Sequence, residues 1–221
     1  MQGWGTAMFL FGLMLFSGTA GAAEIRLPPP AFKGQVSVEE TLKARRTVRH
    51  FARRSLTLAQ VGQLLWATDG VSDPRGFRTA PSAGATFPLE LYLVAGERGV
   101  EGLPAGVYRY LPGSHALALV TPGDLRVAVA RASLNQGWMA EAPVMVVIAA
   151  DYRRCTARYG QRGIRYTHME VGHAGQNLFL QAEALGLGAG IVGAFEDQAL
   201  AGLLKLPKEH EPLIIMPVGY K

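Results

Sequence analysis

The sequence predicts an α+β fold in a single main domain. Three observations carry this. Helical and strand patterns interleave without a strict βαβ repeat, which argues against a doubly wound parallel sheet. The 221 residues permit one sizeable domain, and no internal repeat or boundary interrupts residues 37–221. Hydrophobic residues make up 49% and charged residues 18%, which excludes disordered, collagen-like and coiled-coil chains.

The elements follow in order. Residues 1–22 read as an export signal: the apolar run Met8–Phe16 is short for a membrane span, and Ala20-Gly21-Ala22 offers a cleavage pattern. This predicts an exported, periplasmic protein whose mature chain has no stable membrane span. The n-region lacks Lys and Arg, so an uncleaved anchor is the alternative. Residues 23–36, with Pro28-Pro29-Pro30, read as an extended arm or linker. Ser37-x-x-Glu40 and Thr57-x-x-Gln60 are capping boxes. The first opens a helix to about Arg46; the second opens one with Val61, Leu64, Leu65 and Thr68 on one face. A loop fills about 70–88, and 89–94 is a strand. Residues 107–110 and 117–120 form a hairpin around Pro112-Gly113. A helix is expected over 122–132, a buried strand over 144–149, and a long helix over about 164–185 ended by Gly186. Then come a strand at 189–195, a helix at 196–204 and a last strand at 213–218.

The net charge is +5, and all charged residues lie at or after Glu24. Seventeen of the 22 basic residues are Arg, in two clusters: Arg45, Arg46, Arg49, Arg53 and Arg54, then Arg153, Arg154, Arg158, Arg162 and Arg165. Arg suits bidentate phosphate or carboxylate contacts. Nucleic-acid binding is disfavoured, because the clusters lack interleaved aromatics or a binding motif. The lone Cys155 excludes a disulfide framework and multi-cysteine metal sites.

Several motifs are decoys. Gly188-Ala-Gly190-Ile-Val-Gly193 follows a helix and enters a strand, the reverse of a dinucleotide-binding context. His168-Met-Glu170-Val-Gly-His173 has the wrong spacing for H-E-x-x-H, so no metal site is expected and satisfied helix-face histidines are the simpler reading.

Three other segments form a constellation. In Arg45-Arg46-Thr47-Val48-Arg49-His50-Phe51, side chains 45, 47 and 49 can meet one anion if the chain leaves its helix there. A solvated basic helix end is the plain alternative. Pro81-Ser82-Ala83-Gly84-Ala85 lets backbone amides approach a flat ligand, or is an ordinary turn. Gly186-Leu187-Gly188 and Ile191-Val192-Gly193-Ala194-Phe195 again bring small residues close to something. With Y-G-x-R-G-x-R-Y (159–166) and G-H-x-G-Q-N-L (172–178), these motifs resemble the FMN-dependent nitroreductase superfamily, in its SagB-like azoline oxidase branch, over roughly residues 40–221.

The resemblance implies a nitroreductase-like fold, with a central, mostly antiparallel sheet flanked by helices. It also implies a homodimer with FMN at the interface. Arg45 and Thr47 would hold the FMN phosphate, with Arg46 assisting and Lys221 standing in for basic ligands that longer relatives supply. Arg49 would sit near flavin N1 and O2, where reduced flavin carries negative charge. Pro81, Ser82, Ala83 and Gly84 would pack on the isoalloxazine from the partner subunit. Ala85 stands where many relatives place an Asn. Val192, Gly193 and Ala194 would line the flavin edge, with a backbone N–H at Gly193 near N5. Azoline oxidases carry a Lys-Tyr pair where this chain has Arg158-Tyr159; Arg is a poor base, and Tyr159 remains a candidate acid.

The expected function is therefore an FMN-dependent oxidoreductase moving two electrons to or from a small molecule or peptide. NAD(P)H or another redox donor would supply electrons. The alternatives are a peptide azoline dehydrogenase and a non-catalytic flavin-binding scaffold.

Overall fold

The computed structural model describes residues 24–221, so the export-signal expectation for residues 1–22 lies outside the described residues. Seven strands form one sheet: β1 (Glu24–Arg26), β2 (Leu89–Ala95), β3 (Gly106–Leu111), β4 (Ala116–Pro122), β5 (Val144–Ala150), β6 (Leu187–Ala189) and β7 (Glu211–Tyr220). Their order is β1-β4-β3-β2-β5-β7-β6, and the ladders between them are antiparallel. Six helices flank the sheet: α1 (Val38–Ala44), α2 (Leu58–Asp69), α3 (Arg126–Ala132), α4 (Tyr152–Tyr159), α5 (Arg162–Ala184) and α6 (Asp197–Leu203). Among the described residues, no helix is long and apolar enough to cross a membrane.

Two apolar layers sandwich the sheet. Leu91, Leu93, Val144, Val146 and Ile148 point to the face packed by Leu64 and Leu65 of α2 and Ala174 and Leu178 of α5. Their neighbours Tyr92, Val94, Met145, Val147 and Ala149 point to the other face, packed by Val129 of α3 and Leu200 of α6. With both faces covered, β2 and β5 are buried along their whole length, which is why their sequences run apolar rather than alternating. Both predicted capping boxes close reciprocally, at Ser37/Glu40 and Thr57/Gln60.

Four expectations shift. The first residues of the predicted arm form β1, pairing Glu24–Arg26 with Ala116–Ala118. The helix expected from residue 122 starts at Arg126: Pro122 still belongs to β4, Gly123 turns at φ 100°, and the Asp124 carboxylate accepts the Arg126 N–H. The strand expected over 189–195 is instead β6, at Leu187–Ala189. Beyond it only Val192 makes a bridge, to Ile215. Helix α4 was not anticipated. Asp151 caps it and accepts the Arg153 N–H at 3.1 Å, and Gly160, at φ 55°, separates it from α5. Its one buried residue is Cys155, so it carries no apolar stripe to read.

Candidate functional site

The 45–49 segment starts where α1 stops. Arg45 is the C-cap, with φ −51° and ψ 121°, so the chain turns extended. Thr47 bridges Ala189 in parallel, and the Val48 N–H donates to the Ala189 carbonyl at 2.9 Å. A Cβ on Gly188 would lie 2.7 Å from Val48 Cγ2, so a glycine is required for this approach. The Arg46 guanidinium folds back on the carbonyls of Lys43 and Arg45. The Arg45 guanidinium lies 5.2 Å from the centre of the Phe179 ring, and that of Arg49 lies 5.8 Å from Trp138.

Trp138 joins two of the predicted segments. Its ring supports Arg49 on one side, and a Cβ on Gly190 would come within 2.7 Å of its Cη2. It therefore sets the 45–49 segment beside the 190–194 loop. In that loop the Val192 N–H is committed to the Ile215 carbonyl at 2.9 Å, and the Ala194 carbonyl accepts from Gln136 at 3.3 Å. Gly193 is exposed, and a Cβ there would meet nothing within 4 Å. Lys221 reaches the same region: its Cγ would lie 3.1 Å from a Cβ on Gly188. Its ammonium pairs with Glu183 at 2.6 Å, so part of its charge is already matched. Arg53 and Arg54 are not in this group. With Arg98 and Arg126 they line a separate cleft of about 710 Å³.

The 81–88 segment turns tightly. The Ser82 hydroxyl oxygen accepts the Phe87 N–H at 2.9 Å, and the Ala85 N–H donates to the Ser82 carbonyl. Gly84, Ala85 and Phe87 all have positive φ (57°, 53° and 44°), which costs the two non-glycine residues about 1 kcal/mol each. Pro81 is exposed, and Ser82 and Ala83 are half-buried. Helix α4 closes over the turn. Arg158 donates to the Gly84 carbonyl at 3.0 Å and Arg154 to the Phe87 carbonyl at 2.8 Å. A Cβ on Gly84 would run into the Tyr159 hydroxyl, so the predicted tyrosine and the predicted loop meet within one chain. Tyr159 is braced edge-on by Tyr166, with centroids 5.2 Å apart. Gly84→Ala is expected to cost about 1 kcal/mol from backbone strain alone, and to lower the thermal midpoint by about 2–4 °C. An unchanged midpoint in a melting scan would contradict it.

The second Arg cluster divides. Arg153 pairs with Asp151 and Glu209, and Arg154 with Glu90 at 2.5 Å. Arg162 and Arg165 are exposed and join no ion pair among the described residues. Of the decoy histidines, His168 is hydrogen-bonded to the Tyr152 hydroxyl at 2.6 Å and His173 is exposed.

Beneath the Ser82 turn lies a buried acid pair that sequence reasoning missed. Asp69, at the end of α2, is 1% exposed and bonds Arg78 at 2.8 Å. Its second oxygen has no partner. Glu170, on α5, is 2% exposed and neither of its oxygens has a hydrogen-bond partner. Burial pushes Asp69 up to about 7, with Arg78 pulling it down and Glu170 pushing it further. Burial likewise raises Glu170 to about 7, against the downward pull of the Ser82 hydroxyl, the Ala83 N–H and Arg78. These donors face the carboxyl without reaching hydrogen-bonding geometry.

The nitroreductase family profile matches residues 42–220, almost the whole described chain. A protein of Methanocaldococcus jannaschii, whose name assigns it to the nitroreductases, is 46% identical over 198 residues. The match covers 90% of this chain and 96% of that protein. The crystal structure of a Ralstonia eutropha protein, likewise assigned, superposes with a TM-score of 0.77 at 29% identity, covering 91% of this chain and 90% of that one. The microcin B17-processing protein McbC of Escherichia coli is 28% identical over 172 residues. Here 76% of this chain is covered but only 63% of McbC. The chain belongs to the nitroreductase family, and its sheet and helices have the nitroreductase fold.

Proposed function

We propose that the chain binds FMN as a homodimer and moves electron pairs to or from a small molecule or peptide. The observation that carries this reading is the grouping around Trp138: an exposed cation, Arg49, is held beside the open backbone edge at Gly193. A planar ligand that gains negative charge on reduction needs a fixed cation and a close backbone donor, and no side chain at Gly193 obstructs it. The donor set fits the rest of the cofactor. Arg45 and Thr47 sit on the first extended residues after α1, where Arg45, Thr47 and Arg46 would hold a phosphate. Lys221 would join them only by sharing its pairing with Glu183.

When bound, FMN supplies hydride chemistry that no side chain of this protein can perform. The chain's residues do the remainder. Arg49 balances charge, and the Gly193 and Ala194 N–H groups orient the edge. Val192 fixes that loop through its pair of hydrogen bonds to Ile215. Pro81, Ser82, Ala83, Gly84 and Ala85, presented to the partner's site, exclude water from one face. The Tyr159 hydroxyl, beside Gly84, is placed to hold a proton. NAD(P)H or another redox donor would supply electrons. Residues 1–22 would direct export to the periplasm, which a reporter fusion can check.

Purified protein is expected to be yellow, to release FMN on denaturation and to sediment as a dimer. A colourless protein that takes up no added FMN would sink the reading, and a flavin-loaded monomer would sink its shared-site part. The likeness to McbC supports a second reading, in which the substrate is a peptide azoline. In that case Tyr159 would act without a lysine partner, because Arg158 holds its charge and donates to Gly84.

A further inference from the structure

Glu170 carries more chemistry than a structural helix residue requires. It is 2% exposed, and both of its carboxyl oxygens lack hydrogen-bond partners. A buried carboxylate in that state is costly, so the group either holds a proton or gains donors. Two donors are at hand. The Ser82 hydroxyl accepts from Phe87, which leaves its own O–H free to donate, and the Ala83 N–H faces the same carboxyl. Both belong to the half-buried turn whose outer face is assigned above to the flavin.

We propose that Glu170 is a positioning residue that anchors the Ser82–Ala83 turn from beneath when a planar ligand loads its outer face. In the empty site the carboxyl is neutral and the turn rests short of hydrogen-bonding range. Ligand pressure on Pro81–Ala83 moves the turn toward α5. Glu170 then accepts from Ser82 Oγ–H and from the Ala83 N–H, and its proton leaves to solvent. This inference rests on the flavin reading of the site.

The surroundings set the sign. Asp69 from α2 faces Glu170 with like charge and favours its neutral form. Arg78, from the 70–88 loop, favours the charged form of both acids. Glu90 of β2 acts on Asp69 in the same sense as Glu170 does. In the empty site Glu170 titrates near 7; two new donors lower that value. Loading therefore releases a proton at and below neutral pH and releases none well above it. By linkage, ligand affinity rises as pH increases through this window.

The test is isothermal titration of FMN into the flavin-free full chain. It is run just below neutral pH in two buffers of different ionisation enthalpy, which counts protons released. The wild-type chain is expected to release a sizeable fraction of a proton more than Glu170→Gln. The ionisation of the FMN phosphate is common to both and cancels. Asp69→Asn is expected to keep the release. Equal release from the wild type and Glu170→Gln overturns the proposal, as does loss of the release in Asp69→Asn with retention in Glu170→Gln. If Glu170→Gln does not fold, infrared difference spectra of the wild type decide. FMN binding should convert one protonated carboxyl band to a carboxylate band, and no such change overturns the proposal. A chain that binds no FMN overturns the flavin reading and this inference together. FMN binding without Glu170-dependent proton release overturns this inference alone.

Discussion

Replacing Arg78 with Met is expected to cost about 3–5 kcal/mol at pH 8, and only about 1–2 kcal/mol at pH 5. Arg78 is 16% exposed and bonds a carboxylate, Asp69, that is 1% exposed. It also donates to the Asp69 carbonyl at 3.1 Å and lies over the Phe87 ring. Asp69, Glu170 and Glu90 leave the region rich in buried acid, and Arg78 is the cation that acts on both Asp69 and Glu170. Removing it strands a buried charge whenever Asp69 is ionised. Asp69 titrates near 7 in the folded chain against 3.8 for an ordinary aspartate. Because the folded value is raised, the folded state binds more protons across that interval. Stability is then fully present below 3.8 and is lost as pH rises through about 7. The Arg78→Met penalty should grow in the same direction, since the neutral acid at low pH needs no cation. Urea midpoints of both proteins, at matched protein concentration and at the two pH values, measure this. Equal losses at both would show that Arg78 acts by packing alone.

The sequence discloses those features whose cause is local. The capping boxes at Ser37 and Thr57 mark α1 and α2 because each satisfies its own backbone donors within four residues. The apolar run 144–149 marks β5 because both faces of that strand are covered. The motifs at 45–51, 81–92 and 159–166 identify a family because each keeps its residue order, whatever its conformation. What stays hidden depends on partners distant in the chain. Helix α4 buries only Cys155, so its burial pattern has no period. Trp138 lies in a short turn without periodicity, and its place between Arg49 and Gly190 needs the sheet to bring residues about fifty apart together. Glu170 stands next to the apolar stripe Val171, Ala174 and Leu178, where a carboxylate reads as the polar edge of the helix. Its burial becomes visible only when Asp69, Arg78 and Ser82 are set around it. The site residues that sequence reasoning missed are thus the ones that support others.

Arg49→Ala is expected to weaken FMN binding by about ten- to a hundredfold, the range set by losing a charge-assisted contact of about 1.5–3 kcal/mol. Arg49 is exposed, its guanidinium lies over Trp138, and it joins no ion pair among the described residues. Folding should therefore be indifferent to its loss, and the thermal midpoint of the flavin-free protein should stay within the usual surface-mutation range of about ±0.5 kcal/mol. The effect should be larger on the reduced cofactor, which carries the negative charge that the cation balances. Each tenfold difference in affinity between reduced and oxidised FMN moves a two-electron potential by about 30 mV, here in the negative direction. Arg49→Lys separates charge from shape. A lysine keeps the positive charge but lacks the planar group that stacks on the Trp138 ring. If charge alone matters, Arg49→Lys restores the potential fully. If the Trp138 platform aims the cation, it restores only part, and Trp138→Leu shifts the potential in the same direction as Arg49→Ala. Equilibrium titration with FMN and spectroelectrochemistry read both quantities. Wild-type affinity and potential in Arg49→Ala would remove Arg49 from the site.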